Sequence, residues 1–176
     1  MELRSAIESR RSIRKFESEK IDNNIILEIL KEATHAASGH NRQPWKFKIV
    51  SDEEKNKISS SLYEKYKDVK GHTASHTAGV INEIPNLVVV YLDSDDELFR
   101  EIDILSIGGY IDEVLLLAEE KEIGTLWIAN TNLIKDEIKE ITGVNLETIS
   151  CIGFGKKAQF PNKRPRKDFS EVIINN

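Results

Sequence analysis

Apolar positions in this chain change period several times, and each change marks an element. Leu3 and Ile7 share one face of a short helix over Glu2 to Glu8. Ile25, Ile26, Ile29, Leu30 and Ala33 recur at helical spacing behind Asp22 or Asn23 as a cap, with Ile21 placed as a staple. Trp45, Phe47 and Ile49 alternate with Lys46 and Lys48, the period of a strand. Ser51 and Glu54 form a capping-box pair that opens a polar helix reaching about Tyr66. Asp68 to Glu83 carries no clear period; a short helix fits there, with a break before Pro85. Leu87 to Leu92 is an unbroken apolar run, which predicts a central strand buried on both faces. Beyond an acidic loop from Asp93 to Glu97, a long helix is predicted over Ile102 to Lys121, with Gly124 as the residue that closes it. Thr125 to Ala129 and Thr148 to Phe154 read as strands. Leu133 to Ile141 reads as a helix capped by Asn132 and closed by Gly143, and Phe169 to Ile174 as a terminal strand. The sum is an α+β domain over residues 1–176, a sheet of about four or five strands with helices around it.

The long helix changes that picture. Ile104, Leu105, Ile107, Ile111, Val114, Leu115, Leu116, Leu117 and Ala118 cover most of its circumference, so nearly all of it must be buried. Gly108 and Gly109 lie mid-helix, each costing about 1 kcal/mol against alanine, a cost that makes sense where another backbone approaches. Two readings stand: a helix wholly inside one subunit, or one covered in part by a second subunit in a homodimer.

Composition adds bounds. Of 176 residues, 39% are hydrophobic and 31% charged, which is too apolar for a disordered chain. No run approaches the ~18 apolar residues of a membrane span. Met1 to Ser5 opens an amphipathic helix, not a signal peptide. The single cysteine, Cys151, allows no internal disulfide and no iron–sulfur module, and its apolar strand setting predicts a buried, inert thiol. A cytoplasmic protein is expected. The net charge of −5 argues against general nucleic-acid binding. Yet Arg10, Arg11, Arg14 and Lys15 cluster early, and Lys156, Lys157, Lys163, Arg164, Arg166 and Lys167 cluster late. If the fold joins the two clusters they make an anion site; otherwise they are solvated charge runs.

Between the second helix and the first strand, Ser38, Asn41, Arg42 and Gln43 crowd six positions beside Gly39 and before Pro44-Trp45. A loop so rich in polar groups suits a polar ring, or is an ordinary helix-to-strand connection. Pro44 steers Gln43 toward an extended conformation. Trp45 reads as core. His72 and His76 stand four apart, but Thr73 occupies the place where a zinc protease needs glutamate, so no metal site is expected.

The run from Ala37 to Trp45, Ala-Ser-Gly-His-Asn-Arg-Gln-Pro-Trp, resembles the Pro-Ser-x-x-Asn-x-Gln-Pro-Trp segment of the nitroreductase family of FMN-dependent oxidoreductases. Arg10-Arg11-Ser12-Ile13-Arg14 resembles that family's Arg-Arg-Ser-x-Arg opening. Ser106-Ile107-Gly108, Ile123 to Ile128 and Lys163-Arg164-Pro165-Arg166 continue the likeness in the family's order. The resemblance implies a homodimer with a central, mainly antiparallel sheet, a late segment embracing the partner, and FMN at the subunit interface. Carried over, the cofactor-binding positions are Arg10, Arg11, Ser12 and Arg14, with Arg164 and Arg166 at the phosphate. Ala37, Ser38, Gly39, Asn41 and Gln43 come from the opposite subunit, and Leu126, Trp127, Ile128 and Ala129 lie beside the flavin N5 edge. Trp127 has core filling as its other reading. The implied reaction moves hydride from NAD(P)H to a small-molecule acceptor, a nitroaromatic, quinone or activated alkene, by a ping-pong mechanism. No catalytic side chain is required, because the flavin carries the chemistry. Other flavin chemistries on the same scaffold are the alternative: reductive dehalogenation, dehydrogenation or flavin consumption. A colourless anion- or nucleic-acid-binding protein is the remaining one. Two departures stand out: Ala37 replaces a proline, and Glu122 stands where the family often has glycine.

Overall fold

The structure, a computed structural model, describes residues 2–70, 73–94 and 96–174. Strands β1 (Trp45–Ile49), β2 (Asn86–Leu92), β3 (Ile123–Ile128) and β4 (Glu147–Lys156) form one sheet in the order β1-β2-β4-β3, with every pairing antiparallel. Every residue of β2 is buried, as its unbroken apolar run requires. Alternation sends Val88, Val90 and Leu92 to one face and Leu87, Val89 and Tyr91 to the other. Helices α2 (Asn23–Glu32) and α5 (Arg100–Glu120) cover the first face, and α3 (Asp52–Tyr66), α4 (Ala74–Glu83) and α6 (Lys135–Thr142) cover the second. Helix α1 (Leu3–Ser9) packs beside α5. Trp45 is buried core, stacked on Tyr110 of α5 at 4.9 Å between ring centres. Cys151 is buried at the sheet centre, and burial pushes its thiol up to about 12, so it is inert at neutral pH.

Local signals behaved as their chemistry dictates at most ends. Ser51 and Glu54 close the capping box in both directions, Asp22 accepts from the Asn24 N–H, and Gly143 ends α6 at φ +69°. Four readings fail. Gly124 does not close α5; it sits inside β3, and Glu122 makes the left-handed turn at φ +60°. Glycine is needed at 124 for space, since a Cβ there would meet Ile13 at 3.1 Å and the Gly155 carbonyl at 3.2 Å. Asn132 does not cap a helix: a 3₁₀ stretch, Ala129–Ile134, precedes α6, and the Asn132 amide donates to the Ile149 carbonyl instead. Phe169 to Ile174 is no strand but a 3₁₀ turn, Phe169–Glu171, capped by Asp168, and no described strand pairs with it. Gln43 is left-handed, not extended, at φ +51°.

Helix α5 is not enclosed by this chain. Its Ile102, Leu105 and Gly109 face outward along one stripe, and Leu105 is 76% exposed. Among the described residues nothing lies within 4 Å of a Cβ built on Gly108 or Gly109, so no described backbone explains those glycines. Among the described residues, no helix is long and apolar enough to cross a membrane.

Candidate functional site

Backbone pairing brings the two basic clusters together. Ile13 donates to the Thr125 carbonyl (2.9 Å), Glu17 to that of Lys156 (3.0 Å), and Ala158 to that of Lys15 (3.1 Å). Residues 12–17 are thereby held between β3 and the run that leaves β4, with bridges at Ser12–Thr125 and Phe16–Lys157. Gly155 permits this, since a Cβ there would meet Phe16 at 2.7 Å. Ile13 is buried.

Its neighbours line a cleft of ≈340 Å³ shared by Arg10, Arg11, Ser12 and Arg14 from one end of the chain and Lys163, Arg164 and Arg166 from the other. Five arginines and Lys163 face a single carboxylate, Glu8. Arg11 donates to the Glu8 and Arg10 carbonyls, each at 2.8 Å, while its Nε is buried with no partner among the described residues. Lys156 and Lys157 belong to the same late cluster but pair with Glu19 and Glu119, so they serve the fold.

A second cleft of ≈330 Å³ also has Arg14 in its lining. Leu126, Trp127, Ile128 and Ala129 supply one wall, and Trp127 is 41% exposed, so it is not core filling. Thr73, His76, Thr77 and Val80 supply the other, with Asn130 between the walls. The Asn130 amide donates to Thr73 Oγ1 (3.2 Å) and Thr77 Oγ1 (3.0 Å). Thr73, Thr77 and Asn130 were not legible as site residues, and His76 was weighed only as a metal ligand, because α4 meets the end of β3 only through tertiary packing. His72 lies outside the described residues, and no described group of three His, Cys, Asp or Glu side chains could hold a metal ion.

The Ser38 loop lies elsewhere. Ala37, Ser38, Gly39, Asn41 and Gln43 line neither cleft; the loop rests on the first turns of α5. The Gly39 N–H donates to Ser106 Oγ (3.2 Å), and the Gln43 N–H to Ser38 Oγ (3.1 Å), the bond that curls the loop away from an extended exit. His40, Asn41 and Gln43 all have φ between +51° and +55°, a conformation that costs non-glycine residues of order 1 kcal/mol or more each. Between them Arg42 grips Asp103 with contacts of 3.0, 3.1 and 3.2 Å, and its guanidinium lies over the Phe99 ring at 4.8 Å. Asp103 is fully buried, and the Arg42 hydrogen bonds hold its carboxyl below the ordinary 3.8. Ser38, Asn41 and Gln43 are thus displayed at the surface by a latched loop.

The Nitroreductase family profile matches residues 7–156. The chain belongs to the nitroreductase family. It is 32% identical over 148 residues to YfhC of Bacillus subtilis, which bears an NAD(P)H nitroreductase name, covering 81% of this chain and 76% of that protein. It is 26% identical to the iodotyrosine deiodinase of Thermotoga neapolitana, covering 94% and 92%. Among solved structures, a nitroreductase-like protein of Bacillus cereus matches with a TM-score of 0.82 at 20% identity, covering 100% of this chain and 96% of that one. A Desulfovibrio desulfuricans structure crystallised in complex with FMN matches with a TM-score of 0.81 at 20% identity, covering 100% and 97%.

Nitroreductase family membership gives the departure at Glu122 a physical meaning. The chain keeps at φ +60° the turn that glycine makes without strain. Glu122→Gly is therefore expected to stabilise the protein by about 1 kcal/mol, read as a higher urea midpoint with an unchanged slope. A lower midpoint would show that the Glu122 side chain contributes more than its backbone costs.

Proposed function

We propose that this protein is a homodimeric, FMN-dependent oxidoreductase that passes hydride equivalents from NAD(P)H to a small acceptor. The observation that carries the reading is the convergence of both chain ends on one arginine-lined cleft that joins, through Arg14, a cleft walled by Trp127. The residues fit FMN. Guanidinium forks match phosphate oxygens, and the buried Arg11 Nε, with no partner among the described residues, is a donor in want of an acceptor. Arg10, Arg11, Arg164 and Arg166 would hold the phosphate, with Ser12 beside it. Leu126, Trp127, Ile128 and Ala129 would wall the ring. Arg14 would place a cation by the ring edge where negative charge gathers on reduction. Bound there, FMN supplies the two-electron chemistry, so the protein needs no nucleophile of its own. NAD(P)H and a nitroaromatic, quinone or activated alkene would use the ring cleft in turn.

The Ser38–Gln43 loop would close the site from the partner subunit. Support comes from the outward stripe on α5, with exposed Leu3 and Ile7 on α1 and exposed Phe169, Val172 and Ile174 in the late segment. Such apolar surface suits an extensive homodimer interface. Leu105→Glu would bury a charge there, so it should yield a monomer by light scattering that retains its fold and loses flavin. A flavin-replete dimer would count against α5 as the interface.

The basic test is the visible spectrum of the purified protein: a yellow protein releasing FMN on heating is expected. A colourless protein that takes up no FMN on titration would overturn the proposal. Likeness to a deiodinase over nearly the whole chain favours reductive dehalogenation as a second reading. Turnover of iodotyrosine, with none of a nitroarene under NADPH, would select it.

A further inference from the structure

We propose that Asn130 reads the edge of the flavin ring, its Oδ1 accepting a hydrogen bond from the ring N3–H. This rests on the reading of the second cleft as the ring site. The argument starts from proton bookkeeping on α4. The Thr77 hydroxyl donates to the Thr73 carbonyl at 3.0 Å, which commits its only proton. Thr77 Oγ1 can then only accept, so Asn130 must present its amide nitrogen at 3.0 Å. The second amide hydrogen goes to Thr73 Oγ1 at 3.2 Å. Both hydrogens are used, a flipped amide would set its oxygen against Thr77 Oγ1 and lose that bond, and Oδ1 is the group left for a ligand. No described residue donates to it. Thr73 accepts from Asn130 and keeps its own hydroxyl proton to donate.

The cleft therefore offers a donor in Arg14, a fixed acceptor in Asn130 and a donor in Thr73. The complement is a ligand edge that carries two acceptors and one donor. The imide edge of an isoalloxazine, carbonyl–N3–H–carbonyl, is such an edge. A nitroarene or a quinone has no N–H to give, so the Asn130 acceptor suits the cofactor and not those acceptors. Thr77 touches nothing in this scheme except Asn130 and its own helix; it is a positioning residue.

The experiment compares FMN with 3-methyl-FMN, which cannot donate from N3. Each is titrated into deflavinated protein and followed by quenching of flavin fluorescence. Wild type should bind the methylated flavin about tenfold more weakly or worse, the loss expected for one buried hydrogen bond plus displacement of a fixed amide. In Asn130→Ala the two flavins should bind within about twofold of each other, the gap closing because no acceptor remains. Thr77→Val should narrow the difference with Asn130 still present, by freeing the amide to turn. Equal binding of both flavins by wild type overturns the inference and leaves the FMN proposal standing. A methyl penalty that survives in Asn130→Ala does the same. A wild type that binds neither flavin overturns both.

Discussion

Arg164→Ala combined with Arg166→Ala is expected to weaken FMN binding by about a hundredfold or more, since each charge-assisted contact to phosphate contributes roughly 1.5–3 kcal/mol. The fold should survive. Neither guanidinium makes a described ion pair, both residues are exposed, and they lie beyond the last strand. The loss should therefore appear in a fluorescence titration with FMN while the thermal midpoint of the flavin-free protein stays put. The same change should follow ionic strength, because an open, cationic cleft is screened by salt. Unchanged affinity would mean that the phosphate lies elsewhere.

Arg42→Ala has the second large effect, and it reaches stability first. Removing the guanidinium leaves the buried Asp103 carboxylate with only Ser94 as a side-chain partner, which costs roughly 3 kcal/mol, the low end for broken buried pairs. The pH dependence fixes the sign. In wild type the Asp103 carboxyl is held below its ordinary 3.8, so its stabilisation is complete above that value and is lost as pH falls through the lower, folded one. In the variant the guanidinium no longer offsets burial, which moves the same carboxyl up from its wild-type position, so acid relieves part of the defect. The gap between wild type and Arg42→Ala should be widest near neutrality and should narrow toward pH 4 and below, as read by urea denaturation across pH. A gap independent of pH would assign the loss to packing on Phe99 instead. Flavin retention should fall as well, because the latch is what keeps His40, Asn41 and Gln43 left-handed around Arg42.

The sequence was legible where chemistry is local. The Ser51–Glu54 box, the Asp22 cap, the Gly143 stop and the doubly buried β2 all follow from neighbours a few positions apart. It was misleading where one residue type serves two needs. Gly124 looks like a helix stop but is there so that Ile13 can cross β3 closely, while Glu122 bears the strained turn. Phe169 to Ile174 has a strand's composition but pairs with no described strand. The two arginine clusters could be suspected from charge alone; their meeting depends on backbone bonds between residues 13–17 and 125–158, which no local pattern encodes. The wall made by Thr73, His76, Thr77 and Asn130 was not legible residue by residue, since it joins α4 to the end of β3 across more than fifty positions. Leu105, read as one of many apolar positions, gained significance only when the helix proved open on that side.

A single comparison bears most directly on the proposed cofactor site: the affinity of deflavinated protein for FMN against riboflavin, which has the same ring and no phosphate. Wild type should prefer FMN by about a hundredfold or more, and Arg164→Ala with Arg166→Ala should bind the two nearly alike. Equal affinities in wild type, or a preference undiminished in the double variant, would contradict a phosphate held where the two ends of the chain meet.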